Sequence, residues 1–167
     1  ARPGCDGLSD LEKSDAQYQI FEYGNYKEEE LFEACKKASF AVLLTSTESQ
    51  GIAYMQILSC DIPCYVFNKT FWDNEGKSII KYPASSVPYF SEDCGMLTET
   101  VSISHFKEFL SKLDSFSPRK YILENHTLEQ SAEKYLNILL KSPLVLYIVN
   151  SFSSNNNFCN GVVVNDI

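Results

Sequence analysis

The residue types that could do chemistry are concentrated in one short polar turn, Thr47-Glu48-Ser49-Gln50-Gly51. A continuous apolar run at residues 40–44, typical of a strand buried on both faces, precedes the turn, and a helical pattern follows at residues 52–59. Ligands of open α/β sheets lie beyond the carboxyl ends of the strands, and the first amides of a helix suit a phosphate. The turn therefore predicts an anion site at which Gly51 allows close approach and Glu48 supplies one carboxylate.

The elements around this turn predict an α/β fold. Residues 64–67 form a second apolar strand, so residues 40–67 make a strand–helix–strand unit with parallel strands. Further strands are predicted at residues 18–23 and 87–90, with loops at residues 68–86 and 91–100. Further helices are predicted at residues 27–38, after an N-cap at Ser104, and near residues 121–123. A last helix is predicted to begin at Thr127, which forms a capping box with Gln130, and to end at about residue 141.

The stretch from Ala38 to Pro63 resembles the donor-site signature of retaining GT-B glycosyltransferases of the family-4 type. Its Glu48-Ser49-Gln50-Gly51 variant resembles glycosyltransferase-like proteins of large viruses and microbes. Weaker resemblance continues through Val87-Pro88-Tyr89-Phe90, Cys94-Gly95 and residues 118–125, so that it spans roughly residues 18 to 140. The fold that this resemblance implies is a Rossmann-like parallel sheet flanked by helices, the donor-binding part of a GT-B enzyme.

The resemblance also implies roles for single residues. Glu48 is expected to be the catalytic residue beside the transferred sugar. The expected donor- and nucleotide-binding residues are Thr47, Ser49, Gln50, Gly51, Ile52 and Gln56. The implied reaction is retaining hexosyl transfer from a nucleoside-diphosphate (NDP) sugar, which is a substrate rather than a cofactor, and the class typically needs no bound metal.

Two departures from the family pattern leave an alternative open. Position 56, which meets the ribose hydroxyls in the family, is Gln instead of Glu, and an amide offers one acceptor oxygen where a carboxylate offers two. The acceptor-binding domain and the basic residues that clamp the diphosphate are also not found before residue 18. Turnover by this chain alone is therefore not expected. The alternative is a non-catalytic nucleotide-sugar-binding or interaction module derived from a glycosyltransferase.

The domain prediction has three parts: an irregular segment at residues 1–17, the donor-nucleotide domain at residues 18–142, and a strand-like segment with a polar tail at residues 143–167. The last part either opens a second Rossmann domain or adds to the edge of this sheet. The identity of the sugar, base and acceptor stays open, as does a separate or missing N-terminal acceptor domain.

Composition limits the partners. A net charge of −8 with scattered Lys and Arg argues against nucleic acid and anionic membranes, and no apolar run is long enough to span a bilayer. The irregular spacing of six cysteines predicts no zinc site. Cys35 and Cys60, which lie in apolar periodic stretches, are predicted to be buried thiols, and a reducing cytoplasmic compartment is expected. The two glycosylation sequons, at Asn68 and Asn125, are interpreted as chance matches.

Simpler interpretations accompany each candidate. Glu48 could be an exposed loop carboxylate, Gly51 only a turn residue, and Gln56 a solvent-facing helix residue. His105 and His126 lie next to predicted helix N-termini, where surface or capping roles are expected, and Glu92-Asp93 is interpreted as a solvated loop.

Overall fold

The architecture comes from a computed structural model, which describes residues 17–72, 81–100 and 102–141. Two compact units divide between Asn125 and His126. The predicted irregular segment before residue 17 and the predicted strand and tail after residue 142 lie outside the described residues.

The described part of the first unit alternates helices and strands. In chain order its elements are α1 (Glu28–Cys35), β1 (Ala41–Leu43), α2 (Ile52–Ser59), β2 (Cys64–Phe67), β3 (Phe71–Trp72), β4 (Tyr82–Pro83), a 3₁₀ turn (Glu92–Cys94), β5 (Gly95–Thr98), α3 (Ile103–Ser111), a second 3₁₀ turn (Leu113–Ser115) and α4 (Pro118–Asn125). The second unit contains α5 (Leu128–Lys141), where Thr127 caps the helix by accepting from the Gln130 N–H at 3.2 Å.

Strands β1, β2 and β5 form a parallel sheet in that order, with Ala41 opposite Cys64 and Cys64 opposite Gly95. The predicted parallel strand–helix–strand unit and the α/β class are thus confirmed, and the sheet with its flanking helices is Rossmann-like. Gly95 has a φ of +138°, and a Cβ there would collide with the Cys64 backbone. The close approach of β5 to β2 therefore requires glycine at this position.

Helices cover both faces of the sheet. Successive side chains of β2 point to opposite faces, so each face of the strand packs against a different set of helices. Cys64 and Val66 belong to a core cluster that they share with buried residues of α1 and α2. Tyr65 points to the other face, where its ring lies 5.1 Å from that of Phe106 and 5.3 Å from that of Phe109, both on α3. The strands are apolar on both faces because α1 and α2 pack on one face of the sheet and α3 packs on the other.

Five local predictions are wrong. Residues 18–23 form no strand, although Phe21 packs against the core, and residues 87–90 are loop. The interval 91–100, predicted as loop, contains β5, and the described ends of the interval 68–86 form the antiparallel hairpin β3–β4. The N-cap of α3 is Ser102, whose hydroxyl accepts from the His105 N–H at 3.3 Å, instead of Ser104. The strands depend on pairing partners that are distant in the chain. The position of the N-cap depends on a shift of two residues in the helix start, which hydrophobic periodicity does not resolve.

A reciprocal clasp joins the end of α2 to the start of α4. Asp61 adopts a left-handed conformation with φ +66° just after α2, and its carboxylate accepts from the Arg119 N–H at 3.0 Å. The Arg119 guanidinium in turn donates to the Ser59 carbonyl at 2.6 Å. Each side chain satisfies a terminal backbone group of the other helix. Arg119, one of the residues that carry the resemblance, therefore has a structural role here.

Candidate functional site

The predicted turn lies at the carboxyl end of β1 and leads into α2. Leu43 ends the strand, residues 44–50 cross the edge of the sheet, and α2 begins at Ile52. Because the strands are parallel, β2 and β5 end at the same edge. This is the edge at which α/β folds bind ligands. The structure therefore places the turn where the sequence predicted it.

Gly51 forms the junction between the turn and the helix. It has a φ of +72°, and a Cβ at this position would overlap the ring of Tyr54. Tyr54 is buried, and its hydroxyl accepts from the Tyr89 N–H at 3.1 Å. Burial raises the pKa of Tyr54 to about 12, so the phenol is neutral at physiological pH. Both the backbone conformation and the neighbouring ring thus require glycine here.

The amino end of α2 carries donors that the helix itself does not use. The N-cap residue, Gly51, has no side chain to accept from these donors, and the Met55 N–H donates to the Gly51 carbonyl at 3.3 Å as the helical bonding begins. The amides before Met55 precede the first intrahelical bond and carry the positive end of the helix dipole. An anion at the turn would be held by these amides without a basic side chain.

A polar bridge fixes the turn to the segment that follows the hairpin. The Glu48 N–H donates to the Ser85 carbonyl at 2.8 Å. The Asn68 side-chain oxygen, just beyond β2, accepts from the Ser85 hydroxyl at 2.9 Å and from the Ser86 N–H at 2.8 Å. The backbone of Glu48 is therefore held by a carbonyl 37 positions further along the chain, which Asn68 helps to fix.

Ser86 is the fully buried centre of this bridge. Its hydroxyl lies 3.4 Å from both the Thr45 and the Phe67 carbonyls, and it accepts from the Lys69 N–H at 3.1 Å. The ends of β1 and β2 are thus joined through one side chain. Neither Ser85 nor Ser86 was predicted, since both lie in a polar stretch without periodicity. Asn68 was noticed only as a sequon, and its hydrogen bonds give it a structural role instead.

The predicted site residues fall into two groups. The first is the turn itself, where the Glu48 side chain is exposed, as are Ser49, Gln50 and Ile52, while Thr47 and Gly51 are half-buried. The second is Gln56, one helical turn further along α2, whose side-chain amide donates to the Glu28 carboxylate on α1. The turn is open to a ligand, whereas a nucleotide at Gln56 would have to share that side chain with Glu28.

The other titratable clusters of the described residues do not form a competing site. Burial raises the pKa of the thiols of Cys35, Cys64 and Cys94, in the case of Cys35 to about 11, so these cysteines are protonated and poorly nucleophilic. Among residues 17–72, 81–100 and 102–141, no group of three or more His, Cys, Asp or Glu side chains is placed to hold a metal ion.

A surface groove of about 300 Å³ lies along α1, away from the turn. Its lining includes the carboxylates of Glu29, Glu30 and Glu33. These three carboxylates outnumber the one basic lining residue, Lys37, and repel an anionic donor, so this groove does not compete with the turn as a nucleotide site.

The fold and the turn define this chain as an α/β protein with a Rossmann-like parallel sheet and an open strand-to-helix turn at its carboxyl edge. Comparison with protein-family models, with curated proteins and with solved structures found no match. Within the described part of the chain, no helix is long and apolar enough to cross a membrane.

Proposed function

We propose that this chain binds an NDP-sugar at the Thr47–Ile52 turn and forms the donor-binding portion of a retaining glycosyltransferase. The observation that carries the proposal is the left-handed Gly51 as the N-cap of α2, with the Glu48 backbone held beside it by the Ser85 carbonyl. The resemblance of residues 38–63 to the family-4 donor signature supplies the substrate class.

The turn offers complementary groups to the two ends of such a donor. The amides at the start of α2 suit the diphosphate, whose negative charge they stabilise through hydrogen bonds and the helix dipole. The exposed Glu48 carboxylate suits the sugar, where it accepts from hydroxyl groups and stabilises positive charge that develops at the anomeric carbon. We propose that a separate acceptor-binding domain completes the cleft, so that Glu48 acts catalytically only in the complete enzyme.

Amide NMR titration of the ¹⁵N-labelled chain tests the proposal. UDP-, GDP- and ADP-sugars are added in turn, and the Gly51, Ile52 and Ala53 amide signals are followed. A saturable shift of these signals with at least one donor is expected. If no donor moves them, the turn is not a nucleotide-sugar site.

Two glycine variants provide a matched comparison. Gly51→Ala places a methyl group against the Tyr54 ring in a left-handed conformation, so it should abolish the donor-induced shifts. Gly24→Ala carries similar backbone strain at φ +80°, but nothing lies within 4 Å of its new Cβ, and it should bind the donor normally. Equal loss in both variants would assign the effect to strain alone.

A non-catalytic module is the second candidate, and the contact between Gln56 and Glu28 favours it, because that contact occupies the position expected to meet the ribose. The two candidates differ in chemistry. Donor hydrolysis or transfer by the chain, abolished by Glu48→Ala, would exclude the non-catalytic module. Donor binding without turnover, even after addition of an acceptor-binding domain, would support it.

For the location we propose the cytoplasm. The support is chemical: Cys35, Cys60, Cys64 and Cys94 are all free thiols, and the first, third and fourth of them are buried. A reducing compartment keeps such thiols unpaired.

A further inference from the structure

An exposed aromatic surface lies on the β3–β4 hairpin, beside the turn. Trp72 and Tyr82 are directly opposite each other across the two strands, and 46% and 50% of their surfaces are accessible to solvent. Their ring centroids are 6.0 Å apart with the planes inclined at 39°. Two large rings side by side on an exposed strand pair offer an apolar surface to a ligand.

Among residues 70–72 and 81–84, no charged side chain shares the face of these two rings. Side chains alternate along a strand, so Thr70 and Ala84 share the face of Trp72 and Tyr82, while Phe71 lies on the opposite face. The Lys81 ammonium lies over the Phe71 ring, 4.1 Å from its centroid, and so belongs to that opposite face. The described residues of the Trp72–Tyr82 face therefore present ring surfaces, an indole N–H and two hydroxyl groups.

The hairpin is attached to the proposed donor site. The Ala84 N–H donates to the Thr70 carbonyl at 3.1 Å, which extends the pairing of the two strands up to Ser85 of the polar bridge. Ser85, which binds the Glu48 N–H, is three residues beyond Tyr82, and three residues span at most about 11 Å. The hairpin and the Glu48 backbone are thus neighbours in the fold.

We propose that Trp72 and Tyr82 form a stacking platform for a neutral saccharide, which serves as the acceptor of the transferred sugar. The C–H groups on one side of a sugar ring carry partial positive charge and suit the negative face of an aromatic ring, while its hydroxyl groups suit the indole N–H and the phenol. The chain's net charge of −8 favours a neutral partner over a phosphorylated or acidic one. The role as acceptor site rests on the proposed function, whereas saccharide binding does not.

Trp72 is the sole tryptophan of the chain, so its fluorescence reports on this platform directly. The full chain is titrated with neutral trisaccharides of glucose, mannose and galactose, with UDP and GDP, and with phosphatidylcholine vesicles. A saturable change in emission with at least one trisaccharide, and none with vesicles, is expected. A response to vesicles or nucleotides but not to saccharides would overturn the proposal, as would no response at all.

Variants locate the binding surface. Tyr82→Leu keeps an apolar side chain in the hairpin but removes the ring face, and it should weaken saccharide binding by roughly three- to tenfold. Phe71→Leu alters the opposite face, and Tyr23→Ala removes an aromatic ring that is 93% exposed elsewhere on the surface. Both controls should leave the saccharide affinity unchanged. Equal weakening in all three variants would overturn the assignment to this face.

The two proposals fail separately. Donor binding is monitored at the Gly51 amide, and saccharide binding at Trp72. Saccharide binding without any donor-induced shift would refute the glycosyltransferase proposal and leave a saccharide-binding surface. Donor binding with an unresponsive Trp72 would refute the platform alone.

Discussion

Exchanging Glu28 and Gln56 tests whether position 56 contacts the nucleotide ribose. In the native chain the Gln56 amide donates to the Glu28 carboxylate. The double variant Glu28→Gln/Gln56→Glu retains a hydrogen bond between the same positions, now with the carboxylate on α2. It leaves the net charge of the chain unchanged, so long-range repulsion of the diphosphate is not altered.

The size of the effect follows from the type of hydrogen bond at the ribose. Hydrogen bonds to a charged group contribute about 1.5–3 kcal/mol, and those between neutral groups about 0.5–1.5 kcal/mol. The gain of about 1–2 kcal/mol corresponds to roughly 5- to 30-fold tighter donor binding. Gln56→Glu alone places two carboxylates against each other, at a cost of about 1 kcal/mol in water at 4 Å, so the single variant should gain less.

Isothermal titration calorimetry with the donor found by NMR measures the gain. Its 2′-deoxyribose analogue serves as the control, because a carboxylate that binds both ribose hydroxyls gains less from a sugar that lacks one of them. The expected order of donor affinity is double variant, then Gln56→Glu, then the native chain. If the double variant binds the donor within twofold of the native chain, or gains equally with the deoxy analogue, position 56 does not contact the ribose.

Three further predictions concern stability, each measured by urea unfolding. Asp61→Ala should lower the free energy of unfolding by about 1–2 kcal/mol, because it removes the cap on α4 and places alanine in a left-handed conformation. Asp61→Asn keeps a capping oxygen and tolerates that conformation, so it should lose less than half as much. Equal losses would refute the role of the clasp. Ser86→Ala should lose about 1–3 kcal/mol because the Thr45 and Phe67 carbonyls and the Lys69 N–H lose their partner, and an unchanged midpoint would show that water replaces the hydroxyl. Stability should fall as pH rises from 9 towards 11, because unfolded thiols ionise near 9 while the folded pKa of Cys35 is about 11, so the unfolded chain binds fewer protons there. Cys35→Ala should make this fall less steep, and an unaltered slope would contradict the assignment.

Part of the fold was readable from local pattern. Residues 40–44 and 64–67 predicted strands because both of their faces are apolar, and the interval 52–59 predicted the helix between them as the structure has it. Strand β5 was missed because Gly95-Met96-Leu97-Thr98 carries no strong strand pattern. Its formation depends on the edge of β2, which Gly95 allows it to approach closely.

The candidate site divides in the same way. The location of the turn, its glycine and its carboxylate follow from residues adjacent in the chain, because a strand that runs into a helix must expose the first amides of that helix at the sheet edge. The sequence by itself therefore determined where an anion could bind.

Only the tertiary structure decided what surrounds that turn. The hydrogen bond between Gln56 and Glu28 joins positions 28 residues apart, and the bond from Ser86 to the Thr45 carbonyl joins positions 41 residues apart. The aromatic pair of Trp72 and Tyr82 forms only when β3 and β4 align. No local pattern encodes these contacts, because each depends on the packing of whole elements that brings distant side chains together.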